Sequence, residues 1–342
     1  MTLRVGVVGG TGYIGGELLR LLICHPGAEV AAVASTSRAG GRVDGVHPNL
    51  RGVSSLTFIP PDELGHYDAL LLATPHRETM RLMPEFMRHA DVVIDLSGDF
   101  RLRDPKVYQR YYGVPHEVPG LLGDFVPGLP ELHRKALSAA DRISVPGCMA
   151  TAGILAVHPL AAAGLLTGEV LVDARAGSSG SGVAAGPGNL HAERSGMLRV
   201  FAPTSHRHEA EIAQATGAVV RMTATGVEAV RGVQVLCRVR LVDETDEGTV
   251  REAYREAYRD EPFVRLVATR KGLYQLPEPK ILSGSNYCDV GFAVDKWSSH
   301  ALLVSALDNL VKGGAGAAVQ CLNIRFGFPE RTGLDFTGLH PI

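Results

Sequence analysis

Two short stretches hold residue types able to make and break bonds. The first is Ile143-Ser144-Val145-Pro146-Gly147-Cys148-Met149-Ala150-Thr151-Ala152. A Pro-Gly turn delivers one cysteine to the start of an alanine- and leucine-rich run, so a helix is expected to begin near Cys148. A thiol there lies beside unpaired backbone N–H groups and the positive end of a helix dipole, and both favour a thiolate nucleophile. The bland alternative is a small buried hydrophobe, the usual role of a free cysteine. The second stretch is Ser205-His206-Arg207-His208-Glu209-Ala210-Glu211-Ile212. His206 and His208 are candidates for proton transfer to a thiolate or alkoxide. Glu211 is read as orienting a histidine, meeting substrate or opening the following helix. His-x-His with only distant cysteines gives little support for a metal site, and no metal is expected.

Further polar residues stand where ligands gather. Apolar runs at 67–73 and 91–96 read as buried strands, and ligands bind at the carboxyl ends of such strands. That places His76, Ser97, Asp99 and Arg101 near cofactor or substrate; the same residues would also serve as caps, or as an Asp99–Arg101 ion pair. Ala176-Gly177-Ser178-Ser179-Gly180-Ser181-Gly182 follows a strand at 169–175. Its backbone and the Ser178 and Ser179 hydroxyls suit an anion-binding nest, against the alternative of a flexible linker. Arg194 and Arg199 lie just before the histidine element, where they would meet a substrate anion, meet a protein partner or only solvate a loop.

The elements that must position these groups begin with a β-branched run at 3–8. Gly9-Gly10-Thr11-Gly12-Tyr13-Ile14-Gly15 follows, and then a leucine-rich helix. Strand, glycine turn and helix in this order let a pyrophosphate approach the backbone at a helix N-terminus. A second strand at 29–34 ends in Ser35-Thr36-Ser37-Arg38, where an NAD site usually has an acid. Three hydroxyls and an arginine suit a 2′-phosphate instead, so NADP (NADPH) is the expected cofactor. Residues 39–61, with His47-Pro48-Asn49-Leu50-Arg51-Gly52, are read either as a loop over the site or as a surface excursion, and 102–142 as irregular. Apolar parallel strands with helices between them make a doubly wound sheet. A boundary near Pro146 starts a second, α+β domain. It holds an antiparallel strand at 233–239, in which Cys237 is packing, and a helix over 249–260. A small-residue helix running to Phe326 is expected to return to the nucleotide domain, with Asn309 at the junction.

The totals narrow the class. The chain has 342 residues, enough for two cores, with 20% charged and 45% hydrophobic residues. A formal charge of −2 gives no electrostatic case for nucleic acid or a membrane surface. Five scattered cysteines without a C-x-x-C pair argue against a disulfide framework. No signal peptide or membrane span is read, so a cytoplasmic protein is expected.

Gly9 to Gly15, Asp95-Leu96-Ser97-x-Asp99-Phe100-Arg101-Leu102, Pro146-Gly147-Cys148, His206-Arg207-His208 and Asp308-Asn309-Leu310-Val311-Lys312-Gly313 together resemble the N-acetyl-γ-glutamyl-phosphate reductase family, within the aspartate-semialdehyde-dehydrogenase-like enzymes. The resemblance spans the chain. It implies an N-terminal Rossmann NADP-binding domain (1–147 with 310–342) and an α+β substrate and dimerisation domain (148–309). Cys148-Met149-Ala150-Thr151, the missing proline in the His-Arg-His element, the segment Glu193-Arg194-Ser195-Gly196-Met197-Leu198-Arg199-Val200 and the ending at 333–341 look like the lysine-pathway branch. That branch reduces an aminoadipyl 6-phosphate attached to a small acidic carrier protein, LysW. The implied route is attack of Cys148 on the acyl phosphate, loss of phosphate, hydride from NADPH and collapse to the semialdehyde. The resemblance offers His206 as acid/base with His208 close behind, Asn309 for the nicotinamide carboxamide, and a homo-oligomer, dimer or tetramer. The alternatives are an arginine-pathway reductase of free N-acetylglutamyl phosphate, an enzyme for both substrates, and a nucleotide-binding regulator without chemistry. Cys148 and the histidines speak against the last.

Overall fold

The computed structural model describes residues 2–184 and 186–342. Two units emerge, residues 1–146 with 314–335, and residues 147–313 with 336–342.

The first unit is built on seven strands: β1 (Leu3–Val8), β2 (Ala28–Ala34), β3 (Phe58–Ile59), β4 (Tyr67–Leu72), β5 (Ala90–Asp95), β6 (Val126–Pro127) and β7 (Arg142–Ser144). They lie in the order β3-β2-β1-β4-β5-β7-β6, and every pairing is parallel. Val5, Val7, Ala69, Leu71, Val93 and Ile94 have no exposed surface, because helices cover both faces of a parallel sheet. Residues 102–142 are not irregular: helices Pro105–Tyr112 and Pro130–Leu137 lie there. Each opens on a proline at its first turn, where the missing N–H costs nothing. Asp104 Oδ1 accepts the Lys106 N–H at 2.7 Å and Gly113 closes that helix at φ 75°. The late helix Gly316–Phe326 belongs to this unit. Asn323 Oδ1 lies 2.8 Å from His25 Nε2, and Arg325 pairs with Asp141 at 2.7 Å.

The second unit holds β8 (Leu166–Ala176), β9 (Leu198–Ala202), β10 (Val219–Val227), β11 (Val233–Leu241), β12 (Val264–Leu266), β13 (Cys288–Val294) and β14 (His300–Leu307). Their order is β12-β13-β14-β11-β8-β10-β9. The sheet is mixed: β11 runs antiparallel to β8 and β14, while β10 is parallel to β8. Along β11 the buried side is Val233, Val235, Cys237, Val239 and Leu241, a strict period of two. Against it lies the helix Cys148–Ala162, buried at nearly every position.

That helix contains Pro159, which cannot donate to the Leu155 carbonyl. The Tyr258 hydroxyl donates to Leu155 O instead, at 2.8 Å, and the Tyr254 hydroxyl donates to Ala156 O. Ser305 Oγ donates to Ala152 O at 2.6 Å. The helix carrying Cys148 is thus bonded to its surroundings by three buried hydroxyls. Residues 336–342 join this unit rather than the first: the Tyr274 hydroxyl meets His340 Nε2 at 3.0 Å, and Phe336 covers Gly284. No helix among the described residues is long and apolar enough to cross a membrane.

Candidate active site

In the first unit the glycine turn follows β1. Gly9 has φ +79°, and a Cβ there would stand 2.5 Å from Ala73 O. A Cβ on Gly15 would stand 2.4 Å from Gly9 O. Both positions therefore require glycine. The helix Tyr13–Ile23 starts with Gly12 as its N-cap and has no side-chain cap. Its first N–H groups remain for a ligand, and the space above Gly12 is open, since a Cβ there meets only Gly9 O at 3.7 Å. Thr11 and Ile14 are half-buried at this turn and Tyr13 is exposed. A dinucleotide pyrophosphate fits such a cradle. His47, from the stretch that sequence left as loop or excursion, covers the turn: its Nε2 is 2.6 Å from Gly10 O, and its ring occupies the place of a Gly16 Cβ. After β2, Ser35 is buried and donates its N–H to Ile59 O, while Thr36, Ser37 and Arg38 are exposed together.

Asp99 and Ser97 do not face open space. Asp99 has no exposed surface; its carboxylate accepts the Arg77 N–H at 2.8 Å, the Met80 N–H at 3.0 Å and the Tyr108 hydroxyl at 2.8 Å. It caps the helix Thr79–Phe86 from a distance. Ser97 Oγ donates to Asp95 Oδ2 and accepts the Asp99 N–H, and burial pushes the Asp95 carboxyl up to about 7. These bonds brace the loop after β5. Arg101 bonds to main-chain oxygens. It donates to Val145 O and Leu96 O, both at 2.8 Å, and so fixes the backbone just before Pro146. His76 Nδ1 accepts the Gly98 N–H at 2.8 Å.

In the second unit Cys148 is the first residue of its helix, half-buried, with Gly147 as an N-cap that has no side chain to offer. The Gly147 N–H is donated to Glu211 Oε2 at 2.8 Å. A Cβ on Gly147 would stand 2.0 Å from His208 Nε2, so that nitrogen lies directly over the residue before Cys148. Gly313 closes the other side: a Cβ there would stand 2.5 Å from Cys148 Cβ. Glycine is needed at 147 and 313 to let the histidine and the chain approach the thiol.

The two histidines have different duties. His206 is the N-cap of the helix Arg207–Thr216, and its Nδ1 accepts the His208 N–H at 3.2 Å. Burial, with the neighbouring Arg207 charge, pushes its pKa down to about 4. It is therefore a neutral ring whose Nδ1 is occupied, 4.6 Å from the His208 ring in a T-shaped contact. His208 has its ring nitrogen toward the Cys148 turn. Glu211 Oε1 lies 3.9 Å from His208 Nε2, and the carboxylate is buried. Glu211 thus faces Gly147 and His208, not an open substrate space.

Three amides of the expected anion nest are bonded within the unit. The N–H groups of Gly177, Ser178 and Ser179 go to the carbonyls of Gly232, Ala229 and Val230, at 2.8–2.9 Å. Ser179 Oγ donates to Val230 O and accepts from Asn309 Nδ2 at 2.9 Å. Asn309 Oδ1 accepts the Gly232 N–H at 2.8 Å. Asn309 and Ser179 are ties within the unit, while Ser178 is half-exposed. Arg194 ends the short helix His191–Arg194 beside Gly226, and Arg199 pairs with Glu193 at 3.3 Å. Sequence reading missed Gly147 and Gly313 as contact surfaces. The Gly313-Gly314 pair after Lys312 was the sign in the sequence.

Residues 4–140 match the family description "Semialdehyde dehydrogenase, NAD binding domain", and residues 148–309 match "Semialdehyde dehydrogenase, dimerisation domain". A putative LysW-L-2-aminoadipate 6-phosphate reductase of Thermomicrobium roseum is 47% identical, with 100% of both chains covered. The LysW-L-2-aminoadipate 6-phosphate reductase of Deinococcus radiodurans is 45% identical over 98% of each. A Thermococcus kodakarensis relative, 44% identical over 99% of this chain and 100% of its own, is named for both LysW-L-2-aminoadipate and LysW-L-glutamate phosphates. Among solved structures, aspartate semialdehyde dehydrogenase II of Vibrio cholerae aligns with a TM-score of 0.72 at 17% identity, covering 96% of this chain and 99% of that one. The Candida albicans enzyme, solved with NADP, aligns with a TM-score of 0.69 at 14% identity, over 95% and 98%. These last two establish the fold alone.

Proposed function

The chain belongs to the semialdehyde dehydrogenase family, and we propose that it reduces an aminoadipyl 6-phosphate carried on a small acidic protein, releasing phosphate and leaving the semialdehyde. The observation that carries the chemistry is the placement of His208 Nε2 over Gly147, next to Cys148 at an uncapped helix start. The names of the full-length relatives from Thermomicrobium and Deinococcus support the substrate.

His208 takes the Cys148 proton, and the helix start favours the resulting thiolate. Sulfur attacks the acyl carbon, a C–S bond forms, and phosphate leaves with the electrons of the C–O bond. The helix N–H groups near Gly147 are set to stabilise oxygen charge as the carbonyl is attacked. Gly9 to Gly15 would hold NADPH, with Ser35, Thr36, Ser37 and Arg38 available to its 2′-phosphate, and the cofactor would supply the hydride. Release of the aldehyde returns the thiolate, and His208 gives its proton back. His206 serves this scheme as the cap that orients His208.

The carrier protein is the proposed partner, with Arg194 and the neighbouring exposed Arg199 as contacts. A homo-oligomer is proposed on the match to a dimerisation domain, and the cytoplasm as the site of action. The Thermococcus relative favours a second reading, in which carried glutamyl phosphate is also accepted. NADPH oxidation should be followed with carrier-linked aminoadipyl phosphate, carrier-linked glutamyl phosphate and free N-acetylglutamyl phosphate, at low and high salt. The carried substrates should react faster, and their advantage should shrink with salt as rim charges are screened. Equal kcat/KM on the free substrate would remove the lysine-branch reading in favour of the arginine-pathway one.

A further inference from the structure

In the thioester scheme Glu211 neither attacks nor transfers a proton, yet its carboxylate is 4% exposed. A carboxylate that deep is costly unless its oxygens are bonded. One oxygen accepts the Gly147 N–H at 2.8 Å, reaching across 64 residues of chain. The other lies 3.9 Å from His208 Nε2. Glu211 sits one helical turn after His208, so the two side chains share a face of the helix Arg207–Thr216. Gly147 has no side chain to cap the helix that starts with Cys148. A bond to Glu211 ties that cap to another element.

We propose that Glu211 is a positioning residue for the thioester chemistry: its bond to the Gly147 N–H sets the distance between Cys148 and His208. The proposal rests on the reading of Cys148 as nucleophile and His208 as its base. What matters is an acceptor oxygen at the right reach, more than the negative charge. A glutamine at 211 keeps an oxygen at the same length. An aspartate keeps the charge but withdraws it by one methylene, about 1.5 Å, from Gly147.

The test compares Glu211→Gln, Glu211→Asp and Glu211→Ala by steady-state kinetics with carrier-linked aminoadipyl phosphate, with thermal unfolding recorded for each. A misplacement of about 1 Å between reacting groups costs on the order of 100-fold in rate, so kcat should fall about that much in the Asp and Ala variants. Glutamine should hold kcat within about tenfold of wild type. KM for NADPH and for the acyl phosphate should stay within about twofold throughout. The rate of Cys148 alkylation by iodoacetamide, read by peptide mass without substrate, should rank wild type, then Gln, then Asp. Asp equal to or faster than Gln in both assays would overturn the proposal and make charge the function. So would a change in KM alone, which marks a substrate contact, or an alanine variant with wild-type kcat. If the wild-type enzyme fails to turn over the acyl phosphate, the functional reading fails, while the alkylation ranking still decides the role of Glu211.

Discussion

Gly147→Ala should silence the enzyme while leaving it folded. Gly147 has φ −67° and ψ 151°, a conformation any residue adopts, so alanine brings no backbone strain. Its Cβ would stand 2.0 Å from His208 Nε2, 2.5 Å from Cε1 and 2.6 Å from Cδ2. Carbon contacts settle at about 3.5 Å or more, so the imidazole must retreat by about 1.5 Å. The ring cannot do so freely, because the His206 ring stands 4.6 Å away and the side chain is buried. A shift of that size predicts a loss of about 100-fold in kcat. Loss of a glycine N-cap to alanine costs roughly 1 kcal/mol, and the overpacking against His208 adds about 1–3 kcal/mol, together several degrees in Tm. The control is Gly153→Ala in the same helix, whose Cβ would stand 2.5 Å from Ile212 Cδ1. Overpacking there costs about 1–3 kcal/mol and falls on the tip of Ile212, with no His208 atom among its contacts. NADPH oxidation at saturating acyl phosphate, with thermal unfolding alongside, separates the two variants. A Gly147→Ala enzyme that keeps kcat within about threefold would refute the placement of His208, as would a Gly153→Ala enzyme that loses as much kcat.

Arg38→Ala should weaken NADPH by about tenfold or more and leave NADH unchanged, since a charge-assisted bond to a 2′-phosphate is worth roughly 1.5–3 kcal/mol; equal effects on the two cofactors, by fluorescence titration, remove Arg38 from that site. Tyr258→Phe strands the Leu155 carbonyl that Pro159 already leaves without a helical donor, and should cost about 1–3 kcal/mol in urea unfolding with kcat unchanged. The pKa of His206 lies below its unfolded value, at about 4 against 6.5, so the unfolded chain binds more protons between those pH values. Stability from this group is complete above about pH 6.5 and is lost as pH falls toward about 4, by roughly 3 kcal/mol in all. His206→Asn keeps a capping acceptor and should flatten that part of the stability–pH curve relative to wild type. Parallel curves for the two proteins would show that His206 is not buried neutral.

What could be read before the structure was local. The glycine turn, the cysteine at a helix start and the buried strands depend on residues adjacent in sequence, and spacing alone reveals them. What could not be read depends on partners far along the chain. Asp99 looks like a ligand residue until Tyr108 and the amides of Arg77 and Met80 are seen to take its oxygens. The Gly177 to Ser179 amides look ready for phosphate until the 229–232 carbonyls take them. His206 and His208 are chemically equal in sequence and differ only because one side chain turns back to cap its own helix. β10 escaped notice because Thr223, Ala224, Thr225 and Gly226 carry little strand signal, and its pairing with β8 supplies the order. The helices after Asp104 and Leu129 were hidden by prolines, which break a helix inside but start one well.

The central claim is a thioester on Cys148, and the direct measurement is intact mass and phosphate release with carrier-linked aminoadipyl phosphate and no NADPH. The wild-type enzyme should release about one phosphate per active site and gain the mass of the acylated carrier, mapped to the Cys148 peptide, since covalent catalysis splits the reaction at that point. The Cys148→Ser enzyme should do neither. A wild-type enzyme that turns over with NADPH, yet releases no phosphate and forms no adduct without it, contradicts the account.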